Sequence, residues 1–95
     1  MSEDAEALTV QYEEDGVVLV EEIDKEILSK GAWTTILFRY RNRNKTTGDY
    51  GNDMYTIRRY QKRQGSYIPK SKFNISSPEQ AKKIIAVLTR WTEDL

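Results

Sequence analysis

One stretch of this sequence, from Met54 to Gln80, constrains the fold more than any other. It contains two runs that are rich in tyrosine, isoleucine, threonine and phenylalanine, and Gly65 separates them. Such runs on either side of a glycine turn are typical of a β-hairpin. Pro69 in the second run indicates that this strand lies at the edge of the sheet or starts only after the proline, because proline lacks the backbone N–H that an interior strand needs.

The hairpin leads into a predicted helix start at Ser77-Pro78-Glu79-Gln80. Serine suits the N-cap, proline suits the first helical position, and Gln80 completes a capping box. Apolar residues then recur with the spacing of one helix face, and they are Ala81, Ile84, Ile85, Leu88 and Trp91. Val87 widens this stripe beyond what one thin sheet would cover. We therefore expect a two-layer α+β domain with one C-terminal amphipathic helix, and a homodimer through the helices. The residues predicted at the dimer interface are Ile84, Val87, Leu88 and Trp91.

The sequence before the hairpin also predicts β-strands. Trp33 to Asn42 alternates clearly, with Thr34, Ile36, Phe38 and Tyr40 on one face and Arg39 and Arg41 on the other. Val17 to Ser29 fits a long twisted strand, although its second half also fits helical spacing. Leu8 to Tyr12 fits a short edge strand that is followed by a turn at residues 13–16.

The hairpin strands predict which side chains face the core. If Ile57 faces the core, Arg58 and Tyr60 face a partner, and Phe73 and Ile75 return to the core side. Residues 42–52 form a polar loop that holds Arg43, Lys45 and Tyr50. The predicted organisation is an acidic flexible tail over residues 1–7 and a single domain over residues 8–95.

Composition excludes several classes of function. The 95 residues include no cysteine and no histidine, which excludes disulfides, thiolate nucleophiles, imidazole bases and the usual zinc ligand sets. No segment has the roughly 18 unbroken apolar residues of a membrane span, and the acidic start is unlike a secretory signal. We expect a soluble, intracellular protein that is not an enzyme, with no metal, no cofactor and no membrane partner.

The formal net charge of zero hides a strong segregation of charge. Residues 1–32 carry ten acidic and two basic residues, whereas residues 33–75 carry ten basic and two acidic residues. A basic middle region of this kind indicates a polyanionic partner. Arginine outnumbers lysine there by six to four, which favours forked contacts with phosphate and stacking.

Single-stranded nucleic acid is the polyanion that this pattern fits. A protein that holds it without reading sequence needs a positive groove and flat side chains on which bases stack. Trp33 and Tyr40 are further stacking candidates. The predicted nucleic-acid-binding residues are Arg39, Arg41, Arg43, Lys45, Arg58, Tyr60, Lys62, Arg63, Tyr67, Lys70 and Lys72.

Three alternatives remain open from the residues alone. The basic residues could be the solvated face of an antiparallel sheet, with the tyrosines half-buried. The acidic first third could dock a basic partner, such as a transcription or recombination protein, which would make the chain an interaction adaptor. A metal-dependent nuclease built on Glu21, Glu22, Asp24 and Glu26 is the weakest of the three, because a solvated strand edge explains those residues better.

Several features from the β-hairpin to the helix start occur here together. They are Ile57-Arg58-Arg59-Tyr60, the turn to Gly65, Pro69, the lysine-containing strand and Ser77-Pro78-Glu79-Gln80. In this combination the sequence resembles the positive cofactor four family. These proteins are transcriptional coactivators that bind single-stranded DNA, with smaller bacterial and phage relatives. The resemblance covers about residues 33–91. It implies a curved four-stranded antiparallel sheet and a C-terminal helix, paired into a homodimer whose sheets form channels for single strands.

By position, the resemblance implies that Arg58 contacts DNA and that Lys70 and Lys72 lie on the basic strand before the helix. Two features depart from the eukaryotic coactivators: Gln61 stands where they have tryptophan, and the loop at residues 42–52 is longer. The absence of their long serine-rich tail favours a bacterial or phage protein in the cytoplasm. The expected function is sequence-tolerant binding of single-stranded DNA during transcription, replication or recombination, and the pattern does not distinguish DNA from RNA.

Overall fold

A computed structural model describes residues 4–95 of the chain. Five antiparallel strands form one sheet, in which each strand pairs with its neighbours in the chain. The sheet curls into a half-barrel and is followed by one C-terminal helix, so the predicted α+β class is confirmed. The elements are β1 (Tyr12–Glu14), β2 (Val17–Ser29), β3 (Trp33–Asn42), β4 (Met54–Arg63), β5 (Ser66–Ile75) and α1 (Pro78–Thr92).

The sheet has five strands rather than the four that the family resemblance implied. The additional strand is β1, which begins where the predicted edge strand over Leu8 to Tyr12 was expected to end. Asp15 and Gly16 both adopt positive φ angles, 53° and 79°, and so fold β1 back onto β2. A tight turn at this point needs such angles, which glycine adopts at little cost.

The two faces of the sheet follow from the strand register. Residues directly opposite each other on antiparallel strands share a face, and Thr34 pairs with Tyr60 while Phe38 pairs with Thr56. The face that carries these four residues is called the inner face, and the opposite face is called the outer face. Ile36, Phe38 and Tyr60 form the core cluster on the inner face, and Ile36 and Phe38 are fully buried.

The predicted alternation along β3 is confirmed, because Thr34, Ile36, Phe38 and Tyr40 are all buried. The orientation expected for β4 is wrong. Tyr60 lies in the core, whereas Ile57 pairs with the exposed Phe73 on the outer face. The reason is the register, which aligns the even-numbered residues of β4 with the even-numbered residues of β3. Phe73 and Ile75 were both expected on the core side, but the register places them on the outer face, opposite Ile57 and Tyr55. Phe73 is exposed there, and Ile75 is buried outside the core cluster.

The start of α1 follows its sequence signals. The Ser77 side chain accepts a hydrogen bond of 3.1 Å from the Gln80 backbone N–H, and the Gln80 side chain accepts one of 2.6 Å from the backbone N–H of Ser76. No residue of α1 is buried, and its contacts with the sheet are mainly with β5. No helix within residues 4–95 has the length and apolar character needed to cross a bilayer.

The N-terminal segment, defined here as residues 4–10, crosses to the inner face. Residues 1–3 of the predicted tail lie outside the described residues. The next part of that tail, Ala5–Ala7, forms one turn of 3-10 helix in which Ala5 is buried. Leu8 and Val10 pack against the core cluster. The segment therefore lies over the centre of the half-barrel.

Candidate nucleic-acid interface

The hairpin of β4 and β5 carries six of the basic residues in the middle of the chain. Within residues 4–95, the four ion pairs with N···O distances up to 4.0 Å all involve other basic residues. We call the six the hairpin cations: Arg58, Arg59, Lys62, Arg63, Lys70 and Lys72. Their charge is not neutralised by carboxylates in the described part of the chain, and it is available to an external anion.

On the inner face, two hairpin cations stand directly opposite each other. Arg58 of β4 pairs in register with Lys72 of β5. Like charges at such positions repel each other. The Arg58 Nε donates a hydrogen bond of 3.3 Å to the Thr56 hydroxyl, which in turn donates one of 2.7 Å to the Asn74 side-chain oxygen. This chain of hydrogen bonds holds the guanidinium close to the sheet and beside Lys72.

Further along the same face, Lys62 pairs in register with Tyr67. The Lys62 ammonium lies 5.3 Å from the centre of the Tyr67 ring, within the range of a cation–π interaction. Tyr67 is half-buried and packs against the core cluster. Arg58 and Lys62 are four residues apart on one strand, which corresponds to about 13 Å. The inner face of the hairpin thus combines a row of cations with one accessible aromatic ring.

Tyr60 does not supply the second aromatic platform that the sequence predicted. Only 6% of its surface is exposed, and it packs with Ile36 and Phe38. Burial raises the pKa of its phenol, so the ring stays neutral. Tyr60 has a structural position in the core, and Tyr40 is similarly buried.

The remaining hairpin cations lie elsewhere. Arg59 is on the outer face, where its guanidinium stacks 4.2 Å from the centre of the Trp33 ring. Lys70 is the unpaired residue of a β-bulge, because Tyr60 pairs with Pro69 while Arg59 pairs with Ser71. Arg63 closes the hairpin beside Gln64 and Gly65, both of which have positive φ angles.

Arg39 and Arg41 were predicted in the same groove as Arg58, but the structure separates them. Both lie on the outer face, and both have acidic partners. Arg39 binds Asp53 at 2.5 Å, and Arg41 binds Glu21 at 2.6 Å. The hydrogen bond with Asp53 raises the pKa of Arg39, so its charge is fixed and already compensated.

The loop between β3 and β4 brings Arg43 beside Tyr50 in an isolated bridge. The Tyr50 hydroxyl donates a hydrogen bond of 2.7 Å to the backbone oxygen of Val18, and the ring lies 4.6 Å from the Arg41 guanidinium. Lys45 lies in the adjoining turn and is exposed. Both basic residues of this loop are therefore remote in register from the inner-face cations.

The acidic residues of β2 also lie on different faces of the sheet. Glu21 binds Arg41 on the outer face, whereas Glu22 accepts a hydrogen bond of 2.5 Å from the Thr9 hydroxyl of the N-terminal segment. Within residues 4–95, no three or more aspartate, glutamate, histidine or cysteine side chains gather so that they could hold a metal ion.

Two lysines that the sequence did not single out complete the inner face. Lys25 lies opposite Phe38, and its ammonium donates hydrogen bonds to the backbone oxygens of Glu6 and Leu8, the latter at 2.7 Å. Lys30 forms an ion pair with Glu6. A side-chain hydrogen bond with Asp4, together with that ion pair, lowers the pKa of Glu6 to about 2. Neither lysine belongs to the basic middle region, which is why charge patterning overlooked them.

The predicted dimer residues form one surface. Ile84, Val87, Leu88 and Trp91 line a shallow groove along α1, together with Gln80 and Lys83. Leu88 and Trp91 are 51% and 68% exposed. This is a continuous apolar helix face that the described chain leaves uncovered.

No protein-family model, no curated protein and no solved structure matches this chain.

Proposed function

We propose that this protein is a sequence-tolerant single-stranded nucleic-acid-binding protein and that the strand lies along the inner face of the β4–β5 hairpin. The observation that carries the proposal is the directly opposed pair Arg58 and Lys72, for which residues 4–95 supply no carboxylate partner. A phosphate between the two side chains would turn a repulsive pair into two charge-assisted contacts.

The arrangement favours a single strand over a duplex. Tyr67 offers a ring on which an unstacked base can lie, and stacking of this kind is worth about 1–3 kcal/mol per base. A base inside a duplex has no free face for such a contact. The cations contact the phosphate backbone, which carries no sequence information, so binding is tolerant of sequence. The resemblance to the positive cofactor four family supports the same function, with a role in transcription, replication or recombination of DNA.

The test compares two double variants that each remove two positive charges. Arg58→Gln with Lys72→Gln removes the opposed inner-face pair, and Arg39→Gln with Arg41→Gln removes the neutralised outer-face arginines. Fluorescence anisotropy with a labelled single-stranded oligonucleotide and its duplex, over several salt concentrations, measures affinity and salt dependence. We expect the inner-face variant to flatten the slope of log K against log salt by about 1.4, since each lost contact contributes about 0.7 for a single strand.

The outer-face variant should retain most of the affinity and the slope. Equal losses in the two double variants would show that binding follows net charge and has no defined site on the inner face. Equal affinity for the oligonucleotide and its duplex would contradict the role proposed for Tyr67.

The proposal includes a homodimer through α1. Burying a large apolar side chain stabilises by about 1.5–3 kcal/mol, and Leu88 and Trp91 are both available for burial.

Sedimentation equilibrium tests the dimer. Leu88→Glu places a charge in the apolar groove and should give a monomer, whereas Thr89→Glu changes the opposite side of the same helix and should leave the dimer intact. A wild-type protein that sediments as a monomer at tens of micromolar would overturn this part of the proposal.

A further inference from the structure

The N-terminal segment occupies the face on which we place the nucleic acid. Leu8 and Val10 pack on the core cluster, and the Lys25 ammonium, which rises from the inner face, holds the backbone oxygens of Glu6 and Leu8. The Thr9 hydroxyl is bound to Glu22 on the same face. These contacts place the segment over the centre of the half-barrel, beside Tyr67, which packs against the same cluster.

The N-terminal segment offers the inner face the kind of oxygen acceptors that a nucleic-acid backbone would offer. It offers oxygen acceptors to Lys25 and a carboxylate to Lys30. A second carboxylate, that of Asp4, belongs to the same turn, where it accepts a hydrogen bond of 3.2 Å from the Glu6 backbone N–H. The two lysines thus hold oxygens in the described structure, and phosphate oxygens are equally suitable acceptors for an ammonium group.

The segment lacks strand pairing, and its ion pair with Lys30 is weak enough to be exchanged. Residues 4–10 form no ladder of backbone hydrogen bonds with any strand. The side chains of Lys30 and Glu6 are 54% and 55% exposed, and ion pairs with that exposure are weak and screened by salt. Ala5, Leu8 and Val10 are the apolar side chains that would be uncovered on release.

We propose that the N-terminal segment is a displaceable cover of the inner face, that single-stranded nucleic acid displaces it, and that Lys25 and Lys30 then bind phosphates. This inference rests on the proposed function, because it assigns a regulatory element to the same site. The cover lowers the affinity for weak or short anions, and a strand long enough to reach the hairpin cations and both lysines replaces it.

The first test weakens the cover without touching the predicted phosphate ligands. Glu6→Gln removes the carboxylate that holds Lys30, and Glu13→Gln removes the same charge from an exposed position in β1. We expect the Glu6→Gln variant to bind a single-stranded oligonucleotide about two- to fivefold more tightly than the Glu13→Gln variant does. A change of this size is expected when one exposed ion pair is lost. Equal effects of the two variants would overturn the cover.

The second test fixes the cover in place in the full-length chain. The protein has no cysteine, so Thr9→Cys with Glu22→Cys introduces one reactive pair where the native side-chain oxygens are 2.5 Å apart. A short bis-maleimide joins the two positions, and the same variant capped with N-ethylmaleimide is the control. The joined protein should bind the oligonucleotide more weakly, with a salt slope flatter by about 1.4 because two lysines stay occupied.

The two proposals fail in different ways. If the joined and capped proteins bind the single strand with the same affinity and slope, the cover is overturned while the proposed function stands. If none of the variants nor the wild type binds single strands, the proposed function is overturned, and this inference with it.

Discussion

Lys72→Glu should stabilise the free protein while it weakens binding of single strands. In the wild type, Lys72 faces Arg58 across the β4–β5 ladder, and the substitution replaces a repulsive pair with an attractive one. Cross-strand charge pairs change stability by about 0.2–1 kcal/mol in either direction. The loss of the repulsion and the gain of an attraction both stabilise the fold. Lys72 is exposed, however, so solvent screens the pair. We therefore expect a gain of about 0.5–1 kcal/mol.

Lys70→Glu is the matched control, because it makes the same change of charge two residues away on the same strand. Lys70 lies at the bulge and has no residue directly opposite it. Urea unfolding at a fixed protein concentration and low salt measures the difference between the two variants. In thermal unfolding, the expected gain corresponds to about 2–8 °C for a domain of this size.

Salt provides the internal check. The advantage of Lys72→Glu over Lys70→Glu should shrink as ionic strength approaches 1 M, where the Debye length is about 3 Å. The reasoning would be refuted if the two variants were equally stable at low salt, since the opposed register would then have no energetic consequence. A gain that persisted at high salt would assign the effect to packing instead of charge.

Three further outcomes follow from the structure. Tyr67→Leu should keep the packing on the core cluster but remove the stacking face, so that anisotropy shows weaker binding of single strands with an unchanged salt slope; a flatter slope would contradict stacking. Ser77→Ala removes the N-cap of α1 and should cost about 1 kcal/mol in urea unfolding, whereas Ser76→Ala, which leaves the cap in place, should cost less. Because the pKa of Glu6 falls from 4.5 to about 2 on folding, its contribution to stability is complete above about pH 4.5 and is lost as the pH falls towards 2. The stability difference between wild type and Glu6→Gln should therefore begin to fall near pH 4.5, decrease as the pH passes through about 2 and vanish only below it; a difference that grew on acidification would have the wrong sign.

Local rules explain the parts of the fold that the sequence predicted. The alternation of β3 and the capped start of α1 each depend on residues within a few positions of one another. Period-two patterning and capping are properties of short segments, so they can be recognised without knowledge of the rest of the chain. The basic hairpin was predictable for the same reason, although its two strands could not be assigned to an inner or an outer face.

The candidate site needed the tertiary structure. The register between β3 and β4 places Tyr60 in the core and sets Arg58 opposite Lys72 on β5. A shift of one residue would exchange the faces, and no local pattern fixes that choice when both faces carry apolar and charged residues.

By itself, the sequence determined that the chain forms strands, a basic hairpin and an amphipathic helix, and that its charge is segregated. The tertiary structure alone decided which cations remain available. Asp53 neutralises Arg39 from 14 residues away, Glu21 neutralises Arg41 from 20 residues away, and Glu6 reaches Lys30 across 24 residues. The physical reason is that an ion pair depends on distance in space, which the curl and register of the sheet set, and not on separation along the chain.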